Sequence, residues 1–365
     1  MVALRDRVLS VDILRGITIV LMIMVNTPGT WAHVYPPLLH AEWSGYTPTD
    51  LVFPFFLFIV GISIVFAYQG KSVDSATYRK IIVRSLKLIG LGLFLGAFTI
   101  HFPFFKDFAD IRFPGVLQRI GVVFFFAAIL YVNFNWKVLI GICASILIGY
   151  WLFMGFVPIH GVAPTFDRAP NNWSNYLDLH ILGTHMWKDD YDPEGILSTL
   201  PAIASSLCGI FTGLILTSKK PSKEVVLLGL GGALLIVGSL WAPVFPISKA
   251  NWSSSFVLVS AGWANLVLAL IYYLSDVRKI KFGSIFRYAG SNAITIFFLA
   301  GFIGRLMGSI KVDGENSIHS WLFKNIYVHD FMSMELSSFL YAFTVMCFYL
   351  LLAYVMFRKN IIIKV

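Results

Sequence analysis

Ten apolar stretches, beginning near Val11, Leu51, Ile81, Gly115, Val138, Ile196, Val225, Phe256, Tyr288 and Leu336, alternate with polar segments along the chain. Each is long enough, at roughly 20 residues, to cross about 30 Å of hydrocarbon as a helix. Most are apolar on every face, which lipid tolerates and water does not. The pattern predicts an all-α, polytopic membrane protein of about ten transmembrane helices. It shows no fixed-period repeat, no low-complexity tract and no soluble domain, so residues 1–365 are expected to form a single transmembrane domain.

Composition agrees. Charged residues make up 13% of the chain, against roughly 25% in a soluble domain, and apolar residues 58%. The first apolar run contains Asp12 and Arg15 and no small-residue cleavage site follows, so it is expected to be a retained span rather than a secretory signal. Cys143, Cys208 and Cys347 fall inside apolar spans with no paired spacing, which suits packing rather than metal or redox chemistry. The net charge of +9 sits in short clusters between spans, without the basic stripe and interleaved aromatics of a nucleic-acid binder. On one side of the bundle these clusters are Arg5 and Arg7; Lys71, Arg79 and Lys80; Lys137; Lys219, Lys220 and Lys223; Arg278, Lys279 and Lys281; Arg358, Lys359 and Lys364. That bias predicts both termini in the cytoplasm. All eight histidines then fall on or near the outer side, with Asp189, Asp190, Asp192 and Glu194.

Polar residues inside the spans are the next candidates. Arg15 follows Asp12 by three residues and either pairs with it or forms part of an anion site; Gln118 and Arg119, just after the helix start Pro114-Gly115, face inward on the same argument. Arg84, Lys87 and Arg287 lie near inner ends, where snorkelling also satisfies them. Glycines at 90, 92, 96, 229, 231 and 232 allow close helix approach. The loop LLHAEWSGYTPTD sets His40, Glu42 and Asp50 at the mouth of the bundle. A long outer loop from Pro158 to Glu194 mixes Trp173, Tyr176, Trp187 and Tyr191 with amides and acids, suiting either a sugar ring or an interfacial anchor. His180 and His185 are five apart, a poor fit to a helical metal pair, and no metal is expected.

Five blocks in order, SVDILRGITIVLMIMVN, HAEWSGYTPTDLVFPFFLFIVGISI, RFPGVLQRIGV, DPEGILSTLPAI and YAGSNAI, resemble the heparan-alpha-glucosaminide N-acetyltransferase family of transmembrane acyltransferases. The resemblance implies ten core helices, cytosolic acetyl-CoA as donor and a glucosamine amine across the membrane as acceptor. It also implies a homodimer and, from the bacterial members, a place in the inner membrane of a bacterium. His40 matches the family's active histidine, Asn26 its helix-end asparagine and Asp50 an acid of its pattern. The segment TPGTWAHVYPPLL between Asn26 and His40 departs from the family's shorter glycine-rich run, and the animal enzyme's luminal N-terminal domain has no counterpart before the first span, which favours a small amino sugar or an oligosaccharide as acceptor.

N-acetylation by a thioester needs a proton acceptor near ambient pH, for which His40 is the candidate, oriented by Asp50 or Glu42. Asn26 is the candidate donor to the developing oxyanion. Arg15, Arg84, Gln118, Arg119, Ser291 and Asn292 are candidates for the donor site, and Glu42, Trp43, Asp192 and Glu194 for the acceptor. An amino-sugar permease and an O-acyltransferase of envelope glycans are the alternatives, since intramembrane charge and a polar outer face serve them equally well.

Overall fold

The computed structural model describes residues 8–363; Arg5, Arg7 and Lys364, counted above among the inner cations, lie outside the described residues. The helices are α1 (Leu9–Asn26), α2 (Pro48–Tyr68), α3 (Ser75–Ala97), α4 (Val116–Asn133), α5 (Trp136–Phe156), α6 (Trp173–Leu182), α7 (Thr199–Thr217), α8 (Lys223–Trp241), α9 (Ser254–Tyr272), α10 (Ser284–Ser291), α11 (Ala293–Ser309), α12 (Ile318–Leu322) and α13 (Met334–Arg358). Among the described residues there are isolated bridges but no extended sheet. The protein is all-α and polytopic. Among the described residues eight helices are each long and apolar enough to cross a membrane: α1, α2, α4, α5, α7, α8, α9 with its continuation to Val277, and α13. The pair α10 and α11 makes a ninth only as a broken span, bent by 78°. The tenth expected span, α3, has the length, at 23 residues, but Arg79, Lys80, Arg84 and Lys87 crowd its N-terminal half and lower its apolarity.

The break falls at Asn292, where the apolar pattern predicts an uninterrupted helix. Gly290, Ser291 and Asn292 are weak helix formers in succession. The Asn292 side chain leaves its own helix to clasp the segment after α13, donating to the Ile361 carbonyl (2.9 Å) and accepting from the Ile363 amide (3.0 Å). The break is therefore stabilised from a distant part of the chain.

Small residues set the tightest helix contacts. A methyl group added to Gly61 of α2 would lie 1.9 Å from the Ser206 carbonyl oxygen of α7, and one added to Gly209 of α7 would lie 1.9 Å from that of Phe58 in α2. The same reciprocity joins α1 to α10 through Gly16, against the Phe286 carbonyl, and Gly290, against that of Asp12. Of the glycines singled out in the sequence, Gly92 and Gly231 have such neighbours, whereas Gly90, Gly229 and Gly232 face open space.

The connections gather at two ends. At one, the Leu9 and Ser10 amides of α1 donate to Asp276 beyond α9, and Tyr78 at the start of α3 meets Asn133 at the end of α4. At the other, Gly29 and Thr30 bond Ser338, Gly45 bonds Ile247, and Phe113 bonds His185. The second end carries His40 and is called the histidine face.

A Gly209→Ala substitution should lower stability by about 1–3 kcal/mol through overpacking of the α2–α7 contact, while Gly232→Ala, which meets open space within α8, should not lower it. Thermal unfolding of the detergent-purified protein, followed by size exclusion, reads both.

Candidate active site

The TPTD sequence begins α2 in a way that places a buried carboxylate. Thr47 occupies the N-cap, Pro48 the first helical position, and Asp50 the third, where an acid reaches back to the cap. Asp50 Oδ2 accepts from the backbone amides of Thr47 (3.0 Å) and Ala41 (2.9 Å), and Oδ1 lies 2.7 Å from His40 Nδ1. Asp50 is 1% exposed, yet these two amides and the imidazole meet it, with Lys249 close by. An ionised carboxylate only accepts, so the His40 proton belongs on Nδ1. The ring is thereby held as the tautomer whose Nε2 lone pair is available, and it stays exposed while its orienting acid is buried.

Lys249 completes the group. Its Nζ lies 3.4 Å from Asp50 Oδ1 and 3.1 Å from His40 Nδ1. With the proton on Nδ1, its attraction is to the carboxylate. Burial pushes its ammonium below the usual lysine range, and the Asp50 charge opposes that. The α8–α9 loop that carries it is tied to the His40 loop by the Gly45 amide on the Ile247 carbonyl (2.7 Å). A third loop joins through Phe166, whose carbonyl accepts from both Trp43 Nε1 and Asn251 Nδ2 at 2.8 Å. Thus Trp43 is half-buried as a strut between loops, and Glu42 beside it is exposed.

The DPEG block forms an adjoining charged layer. Asp192 is buried, its oxygens taken by Arg112 Nε (2.7 Å) and Nη2 and by the amides of Trp187 and Glu194 (2.8 Å each). Glu194 shares the Arg112 guanidinium. Arg119, also buried, donates to the Gly195 carbonyl (2.9 Å) and Ser198 and lies over the Trp252 ring. Behind them Asp178 accepts from the Ile196 amide at 2.9 Å. Its burial, opposed by backbone hydrogen bonds, pushes its carboxyl up to about 6.

A separate cavity of 380 Å³ opens in the other half of the bundle, lined by Arg15, Ser63, Arg84, Ser291 and Asn292 among apolar side chains. Arg15 pairs with Asp12 (2.9 Å), as the three-residue spacing suggests, and also donates to Ser63 (3.0 Å). Arg84 packs over Phe124, and its buried Nε has no hydrogen-bond partner among the described residues. Two guanidinium groups on one cavity, one with an unused buried donor, fit an anionic ligand.

Of the residues expected at the donor site, Arg15, Arg84, Ser291 and Asn292 come together here. Arg119 instead belongs to the acidic layer, and Gln118 fills the α3–α4 contact against Gly92 and Gly115. Asn26 is exposed at the end of α1 and turns one amide hydrogen to the Met22 carbonyl (2.8 Å), while the other has no partner among the described residues. Lys249 and Arg112 are not among the residues singled out in the sequence; only the isolation of Lys249 in a Ser/Asn/Trp-rich turn sets it apart.

Comparison with known proteins adds a family. A family model described as heparan-alpha-glucosaminide N-acetyltransferase, catalytic, matches residues 7–242. The human protein named heparan-alpha-glucosaminide N-acetyltransferase is 31% identical over 356 residues, covering 81% of this chain and 53% of the relative. Its mouse counterpart is 30% identical over 353 residues, covering 80% and 53%. The chain spans about half the length of these relatives.

Asp178 gives the site a testable pH dependence. Its folded value, about 6, exceeds the ordinary 3.8, so its contribution to stability is complete below pH 3.8 and is lost as pH rises through 6. Relative to Asp178→Asn, the wild-type melting temperature should therefore fall between pH 4 and pH 7, by the equivalent of about 3 kcal/mol at most. Parallel melting curves for the two proteins would show that Asp178 does not titrate in this range.

Proposed function

The chain belongs to the heparan-alpha-glucosaminide N-acetyltransferase family, and on that basis we propose that it is a transmembrane enzyme moving an acetyl group from cytosolic acetyl-CoA to the amine of a glucosamine-type sugar at the outer face. The observation that carries the reading is the His40–Asp50 pair, a proton acceptor with its tautomer held by a buried acid at 2.7 Å. In this reading the histidine face is exoplasmic and both termini are cytoplasmic. The cation clusters at the opposite ends of the helices support that orientation, and the membrane is then the cytoplasmic membrane of a bacterium. α5 and α8, with only 28% and 17% of their apolar windows buried, leave room for lipid and for a second copy in a homodimer.

Acetyl-CoA supplies an activated acetyl group. In this reading Arg15 and Arg84 attract its phosphates into the cavity from the cytoplasmic side, with Ser291 and Asn292 as polar wall. At 380 Å³ the cavity lies at the low end of the roughly 300–1,000 Å³ of small-molecule sites, so only part of so long a donor enters it. Along α2 the cavity runs from Ser63 to Phe56, and Phe56 is about 9 Å of helix from Asp50. The donor's thioester end must cover that interval to reach His40.

At the histidine face, the sugar amine attacks the thioester carbonyl and His40 Nε2 takes the proton it gives up, with Asp50 stabilising the imidazolium. The C–S bond then breaks, and the departing CoA thiolate takes up a proton as the imidazolium loses one. The free amide hydrogen of Asn26 serves the developing oxyanion, and Glu42 and Trp43 border the acceptor. Asp192 and Glu194, held by Arg112, act on the acceptor through the shape of the loop.

Detergent-purified protein should release free CoA from acetyl-CoA when glucosamine is added and not when N-acetylglucosamine replaces it. His40→Ala should lower the rate by about 100-fold or more. A permease would release none, and an O-acyltransferase would accept both sugars. Lys249→Met should lower the rate, because it removes the ammonium that braces the Asp50 carboxylate against His40. An unchanged rate would remove Lys249 from the mechanism.

A further inference from the structure

We propose that the cavity between α6 and the loop at 158–172 is a second sugar subsite, which seats the ring following the terminal amino sugar, so that the preferred acceptor is a disaccharide or longer. The inference rests on the acceptor reading above and extends it. The cavity measures 650 Å³ and includes His160, Arg168, Asn171, Asn175, Tyr176 and His180 in its lining.

Aromatic faces form one wall. The Tyr176 and His180 rings lie 4.0 Å apart at 33°, and the His160 ring stands edge-on to Tyr176. His180 Nδ1 donates to the Tyr176 carbonyl (2.7 Å), which holds the ring in place and leaves Nε2 as an acceptor. His160 Nε2 is likewise tied to the Tyr176 hydroxyl (2.7 Å). Such fixed faces suit the C–H side of a pyranose.

Amides form the other wall. Asn171 gives its Nδ2 to the Ala163 carbonyl (2.8 Å), so its Oδ1 is turned by a fixed bond. Asn175 is 3% exposed and its buried Oδ1 has no hydrogen-bond partner among the described residues. An unsatisfied buried acceptor costs free energy, and a hydroxyl donor brought by a ligand or by water relieves it. At the rim Arg168 and Asp190 hold each other through two bonds of 2.6 Å, a donor and acceptor fixed side by side.

A chain of side-chain contacts links the cavity to the active-site loops. Arg168 lies 4.8 Å from the centre of the Tyr191 ring, and Tyr191 meets Trp43 edge to face at 5.0 Å. Trp43 is three residues from His40 on the same loop. A sugar whose amine lies at His40 therefore extends past Trp43 and Tyr191 towards this cavity.

Isothermal titration of the full-length protein in detergent, with glucosamine and with fully deacetylated chitobiose, tests the subsite without relying on turnover. The wild type should bind the disaccharide about tenfold more tightly than glucosamine. His180→Ala and Asn171→Ala should each remove most of that advantage while leaving glucosamine affinity unchanged, and His180→Phe should restore part of it by restoring a ring. Equal affinities for the two sugars, equal losses for both in the variants, or a cavity filled by copurified phospholipid that excludes the disaccharide would overturn the subsite. A disaccharide that binds with the expected pattern but is not acetylated would uphold the subsite and sink the transferase reading. Glucosamine acetylated without any disaccharide preference would do the reverse.

Discussion

The buried carboxylate of Asp50 is the constraint on which the histidine face depends. It lies in the first turn of α2, within reach of two backbone amides, an imidazole and an ammonium. A charge there is tolerable only if every donor stays in place, because an unpaired ion at that depth costs several kcal/mol. The same bonds that satisfy the charge draw in the His40 loop and the α8–α9 loop. Orientation of the imidazole is therefore tied to the closure of the surrounding structure.

The rest of the bundle serves to bring two unlike ends into register. Reciprocal glycines let α2 lie against α7 and α1 against α10 with backbone nearly touching backbone. Such contacts fix depth along the helix as well as direction. α2 therefore carries Asp50 at one end and Ser63 at the cavity near the other on one continuous helix, with Pro54 between them. The loops of the histidine face, by contrast, are held mainly by polar bonds, with the Phe166 carbonyl joining two of them.

Much of this was legible in the sequence, and the limits have a physical cause. Long apolar runs reveal helices because lipid demands them, and the ten expected starts fall close to helical elements. His40 and Asp50 are ten residues apart within one loop and helix start, so their association is local. Lys249 lies 209 residues from His40, and only the packing of α8 and α9 delivers it. Asp192 read as an acid free for a ligand, yet Arg112, 80 residues earlier, occupies it. The break at Asn292 was equally hidden, since the groups that stabilise it come from residues 361 and 363. Local chemistry can be read along the chain; partners supplied by distant helices cannot.

The Asn292 clasp gives the last residues of the described chain a mechanical role. Ile362 and Ile363 form part of the cavity wall, and the amide of Asn292 is the rivet that fastens them to the kinked helix. Tension on this segment would thus be transmitted to the elbow between α10 and α11, and through Gly290 and Asp12 to the neighbourhood of Arg15. Whatever is attached beyond that rivet, whether a neighbouring domain or a laboratory affinity handle, pulls directly on the chamber beside Arg15 and Arg84.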